Sequence, residues 1–312
     1  MDLTLIKTFV EVATCGSLQS ASEKLLVTQS AVSLRIQRLE DQLGKSLFTR
    51  SKSGTELTSA GREFEHYALS LLRLWEEARQ QVAVPAGFTD SLVMGAQYSL
   101  WPRLGFRIID RLHETMPQLS IRGELGMPER LTRMLIEGTL HSALFYTPQL
   151  RPGLIAEKIM VEELILVASW PDPQLPLDEN YVLVDWGPEF IRAHGIEFPD
   201  FRFSGVTLAI GALAADFIRR RRGSAYLPAR YVKRYIDEGT LHLVPDAPAF
   251  PYPVWMVWRD DADPAVIQAT REAVRHVVTQ LDAELEEVLT ELRDLNEDHA
   301  LHELGSPDEI IK

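Results

Sequence analysis

The sequence has almost none of the residues that build disulfide frameworks, and none of the segments that span membranes. Cys15 is the one cysteine among 312 residues, which excludes an internal disulfide and a site built from several thiolates. No apolar run reaches the roughly 18 residues that a membrane-spanning helix requires. The N-terminus also lacks a basic segment followed by an apolar stretch and a cleavage site. These absences predict a cytoplasmic protein that has no membrane partner.

Motifs of the common enzyme classes are absent as well. The sequence has no P-loop, no GxSxG, no HExxH and no dinucleotide-binding GxGxxG pattern. Among its eight histidines, the one close pair is His299 and His302, which lies in an acidic segment and is more simply a polar tail than a metal site. We therefore expect no catalysis, no cofactor and no metal.

The net charge of −13 is unevenly distributed along the chain. Residues 260–312 hold fifteen acidic and four basic side chains, whereas the rest of the chain is close to neutral. Residues 24–62 hold seven basic and three acidic side chains, a local charge of +4. The acidic total therefore does not exclude a nucleic-acid partner for the N-terminal region.

The first 60 residues predict short helices with very short connections. In the third helix, apolar residues recur every three or four positions from Val32 to Leu43, and Thr28 can cap its start. Only about three residues separate this helix from the one before it, which is typical of a helix-turn-helix. Two short strand-like segments around a glycine turn follow, and they predict a hairpin.

A longer helix begins near Thr58 and carries an apolar seam with heptad spacing. The seam consists of Phe64, Ala68, Leu71, Trp75, Ala78 and Val82. Such a stripe either packs on its own chain or joins two chains. Because it lies between two units that look independent, we interpret it as a dimerisation helix.

From Leu92 onward the pattern changes to alternating strands and helices. The strand-like segments are 92–96, 119–125, 142–146, 163–168, 181–184, 202–204, 225–227 and 253–258. Helices are expected between them, at 208–221 and 229–237 among other places. A last helix from Pro264 is expected to decay into an acidic tail that is disordered beyond Asn296. Two similar α/β halves predict a ligand cleft between them.

The N-terminal residues resemble the signature of the LysR-type transcriptional regulators. The matching positions are 28–33, Ile36, Leu39, Glu40, Leu43, Gly44, Leu47, Phe48, Arg50, Leu57, Thr58, Ala60 and Gly61. The resemblance covers about residues 1–258, and residues 185–190 resemble the HdfR-like subgroup of that family.

The resemblance implies an α plus α/β architecture in four parts. A winged helix-turn-helix DNA-binding domain would occupy residues 1–58 and a linker and dimerisation helix residues 59–87. A two-lobed effector-binding domain of the periplasmic-binding-protein type would occupy 88–295, and the acidic tail 296–312 would follow. The implied partners are double-stranded DNA, a small-molecule effector, further copies of the chain in a homodimer or homotetramer, and RNA polymerase.

Helical geometry turns the polar side of the third helix toward solvent. The predicted DNA-binding residues are Thr28, Gln29, Ser30, Ser33, Leu34, Arg35, Gln37 and Arg38, with Arg50 and Lys52 on the hairpin. Glutamine can pair bidentately with adenine, and arginine can contact guanine or the backbone. Leu34 is either a contact to a thymine methyl group or an ordinary surface leucine.

The resemblance places an effector cleft at the ends of the strands. The residues found there are Tyr98, Ser99, Trp101, Met127, Phe145, Tyr146, Thr147, Trp186, Ser204, Tyr226 and Pro228. Their aromatic excess suggests a flat or apolar ligand, and Ser99 beside a helix start could hold a carboxylate. The alternatives are ordinary core packing, or aromatic side chains that plug an empty cleft.

The predicted function is therefore that of a DNA-binding transcriptional regulator whose promoter binding or activation responds to an effector. A constitutive repressor or DNA-architectural protein without a ligand is the alternative. An enzyme with an added DNA-binding arm has no motif in its favour.

Overall fold

The computed structural model describes residues 2–51, 54–201 and 205–304 of the chain. Two predicted site residues, Lys52 and Ser204, lie outside the described residues, and so does the predicted strand 202–204. Within the described parts, the chain forms an N-terminal helical unit, a linker helix and an α/β unit that carries a long C-terminal helix.

The N-terminal unit has the predicted winged helix-turn-helix arrangement. Its elements are α1 (Leu3–Cys15), α2 (Leu18–Leu25), α3 (Gln29–Leu43) and the antiparallel strands β1 (Phe48–Ser51) and β2 (Gly54–Leu57). The side chains of Asp2, Ser17 and Thr28 cap the three helices. The helices end at the left-handed residues Gly16, Leu26 and Gly44. Their apolar faces enclose one small core.

The linker helix α4 (Ser59–Val82) divides the predicted seam into two parts. Ala68 is fully buried in the core of its own N-terminal unit, and Phe64 and Leu71 pack against the same core. Trp75 and Val82, in contrast, are 47% and 88% exposed. The prediction that Ala68 belongs to a dimer seam is therefore wrong, because its own chain encloses this residue and keeps it from a second chain.

The α/β unit begins with three strands that pair in parallel, and it continues into a longer crossing strand. Its first part contains β3 (Asp90–Ala96), α5 (Phe106–Thr115), β4 (Leu119–Leu125), α6 (Pro128–Ile136), β5 (Ser142–Phe145) and β6 (Leu154–Ala168). Between β3 and α5 the chain forms a 3₁₀ turn (Tyr98–Leu100) and a π-helical turn (Trp101–Gly105).

The second part returns to the first through another long strand. It contains β7 (Leu183–Val184), α7 (Pro188–Glu197), β8 (Thr207–Leu208), α8 (Ala214–Arg219), β9 (Ser224–Pro228), α9 (Ala229–Asp237), β10 (His242–Leu243) and β11 (Phe250–Arg259). A 3₁₀ turn (Gly211–Leu213) precedes α8. The predicted helix 208–221 is wrong at its start, because Leu208 pairs with Val184 in a two-stranded sheet.

The two parts of the α/β unit form two lobes, and the long strands β6 and β11 cross from one lobe to the other. The main sheet has the order β10-β6-β11-β5-β3-β4, and β9 also pairs with β6. We call residues 90–158 and 255–279 lobe 1 and residues 160–254 lobe 2. The antiparallel ladder of β6 and β11 changes register between Val254 and Trp255, where the lobes meet. The strands β3, β4 and β5 belong to lobe 1, and β9 and β10 extend the sheet in lobe 2.

The C-terminal helix α10 (Pro264–Leu304) is longer than the sequence predicted. Asp263 caps its start by accepting the N–H groups of Ala265 and Val266. The helix passes Asn296 without interruption, and the Oδ1 of this residue accepts the N–H of Asp246 at 2.8 Å. The expected disorder beyond Asn296 is therefore wrong as far as Leu304, because the chain stays helical to that residue. Within the described parts of the chain, every helix is too short or too polar to span a bilayer.

Candidate DNA interface and interlobe cleft

Most of the predicted DNA-contacting side chains lie together on the outer face of α3. Gln29, Ser30, Leu34, Gln37 and Arg38 are exposed, whereas the apolar stripe on the opposite face is buried. The exposed fraction of Leu34 is 49%, so an apolar patch lies among the polar side chains. This face offers amide, hydroxyl and guanidinium groups together, the set that reads base edges in a major groove.

The start of α3 is organised by two hydroxyl groups. Thr28 Oγ1 accepts the N–H of Ala31 at 3.2 Å and forms a 3.0 Å hydrogen bond with Ser30 Oγ. These contacts define where the helix begins, and the positive end of the helix dipole favours an anion there. A phosphate beside Thr28 would bring Gln29 next to the adjoining bases.

Arg35 and Ser33 differ from the other residues of this face because both are half-buried. The Nη1 of Arg35 donates to Thr8 Oγ1 on α1 at 3.4 Å. The arginine therefore extends toward α1 and not straight into solvent. In the free protein this side chain attaches the recognition helix to α1, and its predicted contact with guanine or the DNA backbone stays a prediction.

The wing strands are positioned by a residue that the sequence did not reveal. Glu40 Oε1 accepts the N–H groups of Leu47 and Phe48 at 2.7 and 3.2 Å, and so ties the start of β1 to α3. On the other strand, the N–H of Thr55 donates to Gly16 O at 2.8 Å. The only sequence signal for Glu40 was its place in the family signature, because charge spacing does not show which amides a carboxylate accepts.

The basic character of this unit is smaller than the sequence count indicates. Lys24 Nζ lies 3.1 Å from Glu11 Oε1, and this hydrogen bond raises the pKa of the lysine. Glu11 pairs with Lys24, so the local positive charge is carried by Arg35, Arg38, Lys45 and Arg62 among the residues whose side chains are described. The side chain of Arg50 is outside that set, and its DNA contact stays a prediction.

The predicted cleft residues do not all lie between the lobes. Phe145 lies in a separate core of lobe 1 with Leu131 and Leu135. Its neighbour Tyr146 lies in the other core, because successive side chains of a strand point to opposite faces. Phe145 is therefore corrected from cleft residue to core residue.

Trp101 and Tyr226 are also corrected to core positions. A Cβ atom on Gly123 would come within 2.8 Å of the Trp101 ring, which shows how tightly this ring is enclosed in lobe 1. Tyr226 is fully buried in lobe 2, where its ring contacts Phe190 and Phe250. Pro228 is buried as well, at the junction of β9 and α9. Tyr98, Met127 and Thr147 are exposed in lobe 1.

Aromatic side chains fill the space between the lobes. The ring of Tyr146 in lobe 1 stacks on that of Tyr252 at a centroid distance of 4.4 Å. Tyr252 Oη donates to Trp186 O at 2.6 Å, and Trp186 Nε1 donates to Tyr226 O at 2.9 Å. Trp186 is only 5% exposed, so its ring leaves no open cleft here, which fits both a plug and ordinary core packing.

Ser99 closes the same cleft from lobe 1. Its Oγ accepts the N–H of Ala212 in lobe 2 at 2.9 Å. A Cβ atom on Gly211 would lie 2.7 Å from this oxygen, so the contact requires glycine there, where φ is +58°. In this closed arrangement the hydroxyl is held by the opposite lobe, so the predicted carboxylate contact of Ser99 stays a prediction that requires this hydrogen bond to break.

Two buried charged residues near the crossing strands were missed by the sequence analysis. Arg230 is 1% exposed and donates from Nη1 to Val161 O at 3.2 Å. Its Nη1 also lies 3.7 Å from Glu162 Oε1, while Glu162 Oε2 is buried without a hydrogen-bond partner. Burial raises the pKa of Glu162 to about 7, although Arg230 acts in the opposite direction. No sequence pattern connects a strand residue with a helix residue 68 positions away. Among the described residues, no group of His, Cys, Asp or Glu side chains is arranged to hold a metal.

Two family profiles match the chain. The profile described as "Bacterial regulatory helix-turn-helix protein, lysR family" matches residues 3–62, and that of the "LysR substrate binding domain" matches residues 85–279. The chain belongs to the LysR family. It is thus a bacterial DNA-binding transcriptional regulator with an effector-binding domain, and the predicted winged helix-turn-helix and two-lobed architecture are confirmed.

Relatives in sequence support the predicted subgroup. The chain is 30% identical to the HTH-type transcriptional regulator HdfR of Escherichia fergusonii over 266 residues, which cover 84% of this chain and 94% of that protein. HdfR of Escherichia coli shows the same identity and coverage. The resemblance to HdfR-like regulators is therefore confirmed.

Solved structures of full-length LysR-family regulators share the fold. A full-length OxyR variant from Pseudomonas aeruginosa has a TM-score of 0.55 at 23% identity, with 88% of this chain and 95% of that chain covered. LysG from Corynebacterium glutamicum, solved with the bound effector Arg, has a TM-score of 0.54 at 16% identity, with 90% and 99% covered. At such identities the likeness concerns the fold.

Proposed function

We propose that this LysR-family regulator binds a quasi-palindromic DNA site through two copies of the outer face of α3, and that a small molecule between the lobes changes this binding. The observation that carries the proposal is the clustering of Gln29, Ser30, Gln37 and Arg38 on one exposed face that begins at a capped helix start. A dimer presents two such faces to two half-sites.

The dimer contact is proposed for the part of α4 that its own chain leaves uncovered. The exposed apolar residues on this helix are Tyr67, Leu74, Trp75, Ala78 and Val82. They recur at helical spacing, so that a second copy of the helix could bury them along one stripe. Pairing of such dimers would give the tetramer.

The effector is proposed to bind where Ser99 now contacts Ala212 and where Trp186 fills the cleft. LysG, which shares the fold, has the amino acid Arg as its bound effector. A ligand that enters the closed cleft must displace the Trp186 ring or separate Ser99 from Ala212, and the second change alters the angle between the lobes. It affects DNA binding only if its affinity differs between the two arrangements.

The remaining parts of the proposal follow from the role as a regulator. The protein would act in the cytoplasm, where the chromosome lies, and would contact RNA polymerase at the promoter. It would work by binding alone, without catalysing a reaction.

The test is fluorescence anisotropy of the full-length protein on a duplex from immediately upstream of its own gene, with a scrambled duplex as control. At physiological salt we expect a preference of more than about a thousandfold for the native duplex. Equal and steeply salt-dependent binding to both duplexes would reflect phosphate neutralisation alone and would contradict the proposal for this site.

A constitutive DNA-binding protein is the second candidate, and the closed cleft favours it. In that case the rings of Trp186, Tyr146 and Tyr252 would be a permanent core. A DNase I footprint of the native complex decides between the two: small molecules that change the footprint support the responsive regulator.

A further inference from the structure

The C-terminal helix α10 packs against both lobes of the effector domain. In its first half, Arg271 donates to Glu157 of lobe 1 at 2.9 Å, and α10 lies along α5. In its second half, α10 lies along α9 of lobe 2, and Glu287 pairs with Lys233 at 3.3 Å. Asn296 then accepts the N–H of Asp246. One continuous helix therefore contacts lobe 1 through its first half and lobe 2 through its second half.

The part of α10 that reaches lobe 2 extends beyond the matched family domain. The family profile ends at residue 279, whereas the helix continues to Leu304. Its inner residues Leu281, Val288 and Leu292 are all buried. An extension that buries a regular apolar stripe is a docked element and not a loose tail.

Arg230 joins this extension to the crossing strand. Its Nε donates to Leu281 O at 3.1 Å and its Nη2 to Asp282 Oδ1 at 2.9 Å. Through Nη1 it donates to Val161 O on β6. One buried guanidinium thus links lobe 2, the hinge strand and the extension, and its planar geometry suits three simultaneous contacts.

We propose that residues 280–297 act as a strap that holds the two lobes in one arrangement, with Arg230 as its positioning residue. The physical reason is the thin connection between the lobes. Apart from side-chain contacts, they are joined through β6 and β11, whose ladder is irregular where the lobes meet. Two strands at such a point can absorb a hinge rotation, whereas a rigid helix docked on both lobes opposes it.

The strap deepens the proposed function and rests on it in one respect. If the angle between the lobes controls DNA binding, then the strap sets how far an effector must shift that equilibrium. The opening of the lobes can be measured without DNA and without an effector, so the two ideas can fail separately.

The experiment is hydrogen exchange of the full-length protein, with the Ala212 amide as the reporter. This amide donates across the cleft to Ser99, so it exchanges when the lobes separate. The strap variant is Val288→Ala/Leu292→Ala, which weakens docking without removing the helix. The matched control is Glu291→Ala/Asp294→Ala on the exposed side of the same helix.

We expect exchange at Ala212 to become at least tenfold faster in the strap variant and to change less than twofold in the control. The amides of β3 in lobe 1 and β9 in lobe 2 should keep their protection, because each lobe stays folded. Unchanged exchange at Ala212 would overturn the proposal. Equal acceleration at β9 would overturn it too, since the extension would then be part of the lobe 2 core.

A milder full-length variant covers the case in which the strap variant does not fold. Lys233→Ala/Asn296→Ala removes two polar ties and leaves the apolar stripe intact. We expect a two- to threefold acceleration at Ala212, and no acceleration would count against the strap. If exchange accelerates in the variants while the DNA footprint stays unchanged, the strap stands and the link from lobe angle to DNA binding in the proposed function fails.

Discussion

The DNA-binding unit and the effector unit differ in the chain distance across which their decisive contacts are made. In the first, Thr28 caps its own helix, and Glu40 reaches amides seven and eight residues away. In the second, Ser99 contacts Ala212, and Arg230 contacts Leu281. Contacts within a helix or a tight turn leave a periodic pattern in the sequence, whereas contacts between distant segments leave none. Sequence periodicity can therefore predict the local contacts of the DNA-binding unit but not the contacts between distant segments of the effector unit.

The largest loss of stability is expected at Gly61, where the DNA-binding unit is very closely packed. A Cβ atom on Gly61 would lie 2.1 Å from the backbone oxygen of Leu47. Because neither backbone can yield easily, Gly61→Ala should destabilise this unit by about 3 kcal/mol. Guanidinium unfolding measures this loss.

The control is Gly195→Ala in α7. No atom lies within 4 Å of a Cβ there, and alanine is the better helix former. Gly195→Ala should be neutral or slightly stabilising. If both variants lost the same stability, the close contact between Gly61 and the Leu47 backbone would not exist.

A comparably large change in the free energy of unfolding is expected in the effector unit when the pH is lowered. His141 Nδ1 accepts the N–H of Val93 at 2.9 Å, and burial lowers the pKa of His141 from 6.5 to about 4. Between pH 6.5 and pH 4, this histidine is protonated in the unfolded chain and neutral in the folded one. Stability should therefore be lost as the pH falls from 6.5 to 4, by up to about 3 kcal/mol.

Glu162 acts in the opposite sense, which determines how the pH experiment must be done. Burial raises its pKa from 4.5 to about 7, so between these pH values the folded chain keeps a proton that the unfolded chain releases. The free energy of unfolding therefore falls as the pH rises through that interval. The His141 effect should therefore be clearest in a Glu162→Gln background. There, His141→Gln should flatten the pH profile, and the exposed His113→Gln should leave it unchanged.

A smaller effect is expected at the DNA interface. Gln29→Ala removes one side chain that can pair bidentately with adenine, and it should reduce the preference for the native duplex about tenfold. Gln42→Ala, an exposed glutamine near the opposite end of α3, should have no effect on it. Competition anisotropy measures both, and an unchanged preference in Gln29→Ala would contradict the placement of the helix start in a groove.

The smallest effect is a gain in stability in the turn between α2 and α3. Leu26 has a φ of +55° and is 90% exposed, so it has a strained backbone and little burial in the isolated chain. Leu26→Gly should stabilise the unit by about 0.5 to 1 kcal/mol. Gln42→Gly, in regular helix, should cost about 1 kcal/mol instead. Loss of stability in Leu26→Gly would mean that the leucine is held by contacts that outweigh its strain.

The sequence predicted most of the helices and strands, although β6 begins at Leu154 and not at the predicted Glu163, but it did not predict the surroundings of single side chains. The α9 helix was predicted at its observed bounds, because its start follows Pro228 and its apolar stripe is regular. Phe145, Trp101 and Tyr226 were placed in the cleft because they lie near strand ends. Which face of a strand meets a cleft and which meets a core depends on the elements packed against it, and these are distant in the chain.

The amino-acid sequence by itself determined the short capped helices and the hairpin of the N-terminal unit and the alternating strands and helices that follow, because these rest on caps, turns and periodic apolar residues close together in the chain. The winged, two-lobed architecture and the LysR family followed from the signature residues that the chain shares with that family. Only the tertiary structure decided that Ser99 and Trp186 close the cleft, that Ala68 is enclosed by its own core, and that α10 fastens both lobes. Each of these depends on a contact between segments whose separation along the chain leaves no periodic trace, and whose geometry exists only after the chain has folded.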